Sequence, residues 1–512
     1  MLGKSETSAI VGIDGRPVLV EADYGDGLPS FEMVGFLGAE VKEAKERVKA
    51  ALKNSDVFVM PGKLTVSLSP ADLRKSGNSF DLPIAVAILV AIGVIPQEFV
   101  NGYTFFGELQ LDGTLRGIHG SLSHMLLARS RHMKGCIVPA ENARECAIFK
   151  DFPVYAFHSL KEVMMFLLNE SEEYRVSTDE SGKARKKETL DFSEVLGQES
   201  VKRAAMVASA GMHGLLMVGP PGTGKTLTAR RIPTILPPLT DEEQIECTKI
   251  YSVSGLLTEN SGLIEERPFR APHHTISANG LVGGGTFPRP GEMSLAHNGV
   301  LFLDELPEFS KMTLEVMRQP LEDKKVVISR VQGSYTFPTR VMLVAAMNPC
   351  KCGYYPDRNR CRCSESDVRR YLSGISKPLL DRIDISVEVP RLKATDFSGG
   401  AALGMDSESM RQSVISAWEI QKKRYEDEGI LFNSQLSGKL VRTYCQIGES
   451  EATLLNNAFE KMGLSARAYD RILKVARTIA DLEQSDRITA THLSEAIHYR
   501  LPDRRFFNGP GT

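Results

Sequence analysis

Eight residues constrain this chain most: Gly219-Pro220-Pro221-Gly222-Thr223-Gly224-Lys225-Thr226 fits G-x-x-x-x-G-K-[ST], between an apolar run, Leu215 to Val218, and a helix-like stretch, Leu227 to Ile232. In that context the glycines let backbone amides curl round phosphate oxygens at a helix N-terminus. Lys225 brings charge to the outer phosphates of ATP, and Thr226 brings a hydroxyl to Mg²⁺. Two more short apolar runs follow, Val300 to Leu303 and Val341 to Ala346. Runs without polar alternation suit a parallel sheet covered on both faces, so the expected core is a doubly wound α/β layer.

The second run ends in Asp304 and Glu305. Beside a phosphate loop, Asp304 suits holding the metal through water and Glu305 suits polarising the attacking water. The third run delivers Asn348, which is placed either to orient water and read the outer phosphate or simply to form a turn.

At 512 residues the chain exceeds one core. Residues 1–168 alternate strand-like and helical stretches, 169–190 are almost devoid of apolar residues and read as a linker, 191–392 form the α/β core, and 393–512 turn helical. In the last region Tyr469, Ile472, Leu473, Ala476, Ile479 and Ala480 mark one apolar helix face. The apolar stretch Leu82 to Ile95 is too short to span a bilayer and reads as a buried helix; with no signal-like start, a cytoplasmic protein without membrane contact is expected. The net charge of −2 excludes a global basic field, so any nucleic-acid contact must come from local patches.

Cysteines at 136, 146, 247 and 445 stand singly and read as reduced and structural. Cys350, Cys352, Cys361 and Cys363 form C-x-C-x8-C-x-C, the ligand count of a closed tetrahedral Zn²⁺ site, with free thiols and disulfides as alternatives. The spacing predicts a loop ordered by its metal, separate from a distant phosphate loop. Lys351, Arg358, Arg360, Arg362, Arg369 and Arg370 surround the thiols, which suits either a solvated charged loop or a DNA-contacting finger. Val326 to Phe337 carries two β-prone arms round Gln332-Gly333-Ser334, a hairpin signal. The adjacent His273 and His274 suggest metal binding by residue type, but with no evident partners in the sequence that reading is set aside.

Arg267-Pro268-Phe269-Arg270-Ala271-Pro272-His273-His274, Gly283-Gly284-Gly285, Val300 to Glu305 and Ser376-Lys377-Pro378-Leu379-Leu380-Asp381-Arg382-Ile383-Asp384 resemble the ComM/YifB family of magnesium-chelatase-like AAA+ proteins, over nearly the whole chain. The resemblance implies an AAA+ P-loop core with a helical lid, preceded by a Lon-protease-like α+β domain. It implies a nucleotide-dependent homohexameric ring that hydrolyses ATP to move single-stranded or branched DNA, as a helicase or branch-migration factor in transformation or recombination. A chelatase-type metal-inserting motor and a protein remodeller are the alternatives. Arg382 matches the arginine finger that reaches a neighbour's phosphate, and Arg467 the sensor-2 arginine of the lid. Pro268 to Asn298 looks like the helix-2 insert and the hairpin like the pre-sensor-1 insert, both expected at the pore, where Arg330 would meet DNA phosphates. Ser79 falls near the Lon nucleophile, but Gly120-Ser121-Leu122-Ser123-His124 presents leucine in place of the catalytic lysine, so a non-proteolytic domain is expected.

Overall fold

The computed structural model describes residues 1–169, 172–176, 190–258, 262–330, 333–391 and 405–507. Most of the expected linker, the start of the expected lid at 393–404 and the hairpin tip at 331–332 lie outside the described residues. The chain is mixed α and β and forms two compact units, which cut across chain order.

The first unit is built on a seven-stranded mixed sheet in the order Ser30–Val34, Lys63–Ser69, Asp14–Gly25, Leu2–Val11, Tyr103–Phe105, Gly135–Pro139, Val154–Phe157. Leu2–Val11 and Asp14–Gly25 pair antiparallel from Leu2 opposite Asp23 to Val11 opposite Asp14, with Gly12 at positive φ (+69°) in the turn. The helix Asp81–Ala91 is apolar on every side after its first residue and is buried throughout, as the sequence predicts. Its one charge, Asp81, would be costly there alone; Arg47 answers it with two hydrogen bonds of 2.7 and 2.9 Å, and the Leu109 amide adds a third. No helix among the described residues is long and apolar enough to cross a membrane.

Residues 241–264 and 327–337 also belong to this unit, although both are inserted in the sequence of the second. The inserted helix Asp241–Val253 is tied down by polar contacts: Lys249 pairs with Asp14, Ser252 bonds Glu145, and the Gly120 amide donates to the Ser252 carbonyl at 3.1 Å. Glu145 is buried and also accepts from Ser121 and the Leu122 amide, so its charge is spent on four neighbours including Asn142. The second insert makes up most of the hairpin read from the sequence, in which Lys325–Arg330 pairs with Gly333–Pro338. Its return strand lies against the turn at Gly12, where an added Cβ would sit 2.8 Å from the Thr336 carbonyl.

The second unit carries a five-stranded, all-parallel sheet in the order Phe269–Arg270, Val300–Leu303, Met342–Met347, Leu215–Val218, Ile385–Glu388. The three inner strands are buried at every position. Their side chains divide by the two-residue period of a strand. Leu215, Met217, Val300, Phe302, Met342, Val344 and Ala346 pack in the core shared with helices Glu199–Gly211, Ser407–Arg424 and Ala466–Leu482. Leu216, Val218, Leu301, Leu303, Leu343, Ala345 and Met347 pack in the core that includes Leu379, Cys350 and Cys361. Burial on both faces is what removes polar alternation from these strands. Helix Ala466–Leu482 starts at a Ser465 cap and buries Ile472, Leu473, Ala476, Ile479 and Ala480, the face its periodicity marks.

Candidate nucleotide site and cysteine cluster

The strand Leu215–Val218 ends in the loop 219–224, and helix Lys225–Ile235 begins directly after it. Gly222 and Gly224 sit at φ +75° and +84°, with nothing within 4 Å of an added Cβ, so conformation rather than space demands glycine. Gly219 is different: an added Cβ there would overlap the Val389 carbonyl. Lys225 is buried under the loop, where Nζ donates to the Gly219 and Pro220 carbonyls at 2.8 Å each and to Asn348 Oδ1 at 3.1 Å. Burial pushes its pKa down to about 8, against the pull of Asp304 and Glu305. Thr223 folds its hydroxyl onto the Pro220 carbonyl at 2.9 Å.

Thr226 Oγ1 donates to Asp304 Oδ2 at 2.6 Å. A hydroxyl and a carboxylate oxygen at that separation form a hard-oxygen pair of the kind Mg²⁺ takes. The other Asp304 oxygen accepts the Glu305 amide at 2.9 Å, which fixes the carboxylate's orientation. Glu305 itself has φ +52° and an exposed side chain. His274 Nδ1 lies 3.4 Å from Glu305 Oε2. The His274 ring lies tilted against His273, centroids 4.1 Å apart, and meets Phe309 edge-on, while His273 bonds Thr275 at 2.9 Å. Sequence reasoning missed this residue. No local signal could have found its partner: the strand Phe269–Arg270 pairs parallel with Val300–Leu303, so the residues after one strand arrive beside the residues after the other.

Arg382 and Arg467 lie elsewhere. Arg382 follows the short helix Lys377–Leu380, donates to the Pro378 carbonyl at 2.6 Å and pairs with Glu322. Arg467 is exposed at the start of its helix, with its guanidinium 3.9 Å from the other oxygen of Glu322. The structure therefore brings these two arginines to one carboxylate and joins neither to the phosphate loop. Arg330 is exposed on the hairpin, and Tyr335 is half-buried. The segment 268–298 holds the helix Ala278–Val282, a two-stranded pairing of Gly283–Gly284 with Arg289–Pro290, and the helix Glu292–Leu295.

Cys350, Cys352, Cys361 and Cys363 converge, with all four sulfurs within 4.8 Å of one another. Three of the separations are 3.3, 3.6 and 3.8 Å. At Cys352 desolvation opposes ionisation, but the Tyr354 amide and the Cys350 thiol outweigh it and bring the group down to about 6; desolvation pushes Cys361 up to about 12. The separation expected from the phosphate loop is absent. Gly219 donates to the Met347 carbonyl at 3.2 Å, and an added Cβ on Gly353, between the thiol pairs, would overlap Pro221. The two loops leave neighbouring strands, in which Val218 is paired with Met347, so their nearness is set by the sheet.

In the first unit Ser79 is buried, and among the described residues no histidine or lysine bonds its hydroxyl. Leu122 is buried as well. His124 bonds Ser8 at 2.5 Å and stacks on Phe106, and burial holds it neutral with its pKa pushed down to about 3.

The family described as "Magnesium chelatase, subunit ChlI" matches residues 191–397, its C-terminal part matches 404–500, and "Subunit ChlI of Mg-chelatase" matches 20–142. YifB of Salmonella typhimurium is 41% identical over 97% of both chains, and the competence protein ComM of Haemophilus influenzae is 42% identical over 96% of both. The magnesium-chelatase 38 kDa subunit of Cereibacter sphaeroides is 24% identical over 40% of this chain and 59% of its own. With the strand, glycine loop, lysine and paired carboxylates all set in a parallel sheet, these matches place the chain in the ComM/YifB family of magnesium-chelatase-like AAA+ proteins.

Proposed function

We propose that the chain is an ATP-hydrolysing ring motor that moves DNA. The observation that carries the ATPase part is the convergence of Lys225, Thr226, Asp304 and Asn348 at the ends of three neighbouring strands. The site fits a nucleotide. A buried lysine held only by carbonyls and an amide oxygen keeps a cation ready for phosphate oxygens, and the left-handed glycines leave open space round the loop. Bound Mg²⁺-ATP supplies the phosphoanhydride and the charge that the metal offsets. Residues 219–224 bind the phosphates, Lys225 neutralises them, Thr226 and Asp304 hold the metal, Glu305 accepts the proton of the attacking water, and Asn348 orients that water.

Arg382 acts on a neighbouring subunit's nucleotide in a homohexamer, which accounts for its engagement away from its own phosphate loop, and Arg467 serves as the sensor-2 arginine of the lid. Residues from 405 onward act as the helical lid. The first unit serves as a Lon-like, non-proteolytic domain, supported by the absence of a base on Ser79. The four cysteines hold Zn²⁺: a tetrahedral site with Zn–S near 2.3 Å places sulfurs about 3.8 Å apart, close to the separations here.

DNA binding is supported by exposed Arg330, by exposed Lys351, and by Arg362 and Arg369, which are exposed and form no salt bridge among the described residues. By contrast Arg358, Arg360 and Arg370 are paired with Glu365, Asp357 and Asp367. One experiment tests the whole: ATPase rate and strand displacement with single-stranded DNA, four-way junctions and unfolded protein. Stimulation by DNA with ATP-dependent strand movement is expected. Stimulation by unfolded protein alone would instead make the chain a remodeller.

A further inference from the structure

We propose that the metal held by the four cysteines braces the phosphate loop, so that metal occupancy sets nucleotide affinity. This rests on taking the thiols as a metal site and adds what that site does for its neighbour.

Three contacts carry it. The first is direct: Gly353 is buried at φ +82°, its amide closes a turn on the Cys350 carbonyl at 2.9 Å, and its backbone leaves no room for a Cβ beside Pro221. The second runs through Asn348, two residues before Cys350, whose Oδ1 accepts from Lys225 at 3.1 Å. The third is relayed. Tyr354 carries the Arg391 guanidinium over its ring at 4.5 Å, and the preceding Pro390 carbonyl accepts from Gln198 Nε2 at 3.2 Å. The same amide nitrogen donates to the Thr223 carbonyl in the phosphate loop at 2.9 Å. The loop is thus touched directly at Pro221 and Lys225 by Gly353 and Asn348, each within two residues of a cysteine, and at Thr223 by Gln198 at the end of the relay from Tyr354.

Burial alone holds the cysteine segment weakly. Residues 356–360 are all exposed, Cys350 and Cys361 are buried in the core, and Cys352, Tyr354, Tyr355 and Cys363 pack against it only partly buried. Four thiolates on one ion supply the missing order, because the free energy of metal binding becomes free energy of folding for the segment. Without the ion Gly353 and Asn348 lose their fixed positions. Nucleotide binding then has to order the cysteine turn as well as the phosphates' own cradle, and affinity falls by that cost.

The test uses the full chain purified under reducing conditions. Zinc is measured per chain, removed with a thiol-competing chelator and the chelator dialysed away; magnesium is then restored equally to stripped and untreated samples. ADP affinity is read by titration calorimetry. The stripped protein is expected to bind ADP about fivefold or more weakly, a typical coupling between sites, and one equivalent of Zn²⁺ restores the affinity. Zinc removed with affinity within about twofold of the untreated sample overturns the inference. Because stripping acts on the whole segment and not on one contact, Gly353→Ala provides a second route that leaves all four cysteines. It is expected to retain zinc and lose affinity, and retained zinc with unchanged affinity overturns the contact at Pro221. Absence of zinc from the untreated protein sinks the metal site itself, which separates that failure from failure of the coupling.

Discussion

The phosphate loop and the arginine pair differ in where their charges are spent. Around the loop, Lys225 bonds Asn348 and Thr226 bonds Asp304, so the groups proposed as the acceptor half for phosphate and metal are partnered within one chain. Arg382 and Arg467, the remaining cations of the expected site, are held by Glu322. Under the proposed function these are two half-sites of one reaction, and within one chain they are partnered separately. Motif matching finds each half, but only their partners show that they do not close on each other.

Removing Arg382 is expected to give the largest effect. An arginine finger is worth about 10³-fold or more in turnover, so Arg382→Ala should lower kcat by that order with ATP affinity little changed. Mixing these subunits with Glu305→Gln subunits should regain hydrolysis wherever an intact arginine faces an intact glutamate. Loss of ATP affinity in step with kcat would place Arg382 in its own chain's site and break the comparison.

Glu305→Gln probes the acceptor half. Loss of a general base costs about 10²- to 10⁴-fold, so turnover should stop while ATP stays bound, as measured by single-turnover hydrolysis beside equilibrium binding. Equal loss of binding would mean that Glu305 holds nucleotide instead of preparing water.

A smaller effect is expected at His274, which acts through Glu305. Displacing a catalytic group by about 1 Å costs up to about 10²-fold, and His274→Ala, which frees the carboxylate without removing it, should lower kcat by about tenfold at unchanged KM. His274→Asn, which keeps a polar group near the carboxylate, should recover most of the loss. A rise in KM with kcat intact would assign the histidine to nucleotide contact.

How much of this was legible depended on whether the information was contiguous. The loop 219–226, the carboxylate strand and the hairpin arms each declare themselves within a dozen residues, because glycine conformation, burial on both faces and strand pairing are local demands. Three of the five parallel strands were read to within a residue, Val341 to Ala346 from the sequence being Met342–Met347 in the structure, while the outer strands Phe269–Arg270 and Ile385–Glu388 were not read. What sequence could not supply was the partner across the fold. The nearness of Gly353 to Pro221 follows from the order of strands, which periodicity does not encode. His274 was dismissed for lack of partners because Glu305 lies thirty-one positions away and meets it only through the pairing of two strands. The hairpin was recognised, but its packing with residues of the first unit depends on a turn at Gly12 more than three hundred positions earlier.

The smallest expected effect concerns Lys225 and sharpens the account of the acceptor half. Its pKa is pushed down to about 8 by burial, below the ordinary lysine value of 10.5. The sign for folding is that the unfolded chain holds this proton more tightly, so the group's contribution to stability improves as pH rises from about 8 toward 10.5. Nucleotide binding has the opposite sign, because phosphate oxygens favour the charged lysine. At pH near 8 about half of the free protein carries a neutral Lys225, so ADP binding should take up about half a proton and be about twofold weaker than at neutral pH. Affinity should fall further as pH climbs to 10. Calorimetric titrations in two buffers of different ionisation enthalpy measure the proton count directly. Lys225→Arg, charged throughout this range, should bind with no proton uptake from this position. Uptake that persists in the arginine variant would assign the titration to another group and leave the lysine charged before nucleotide arrives.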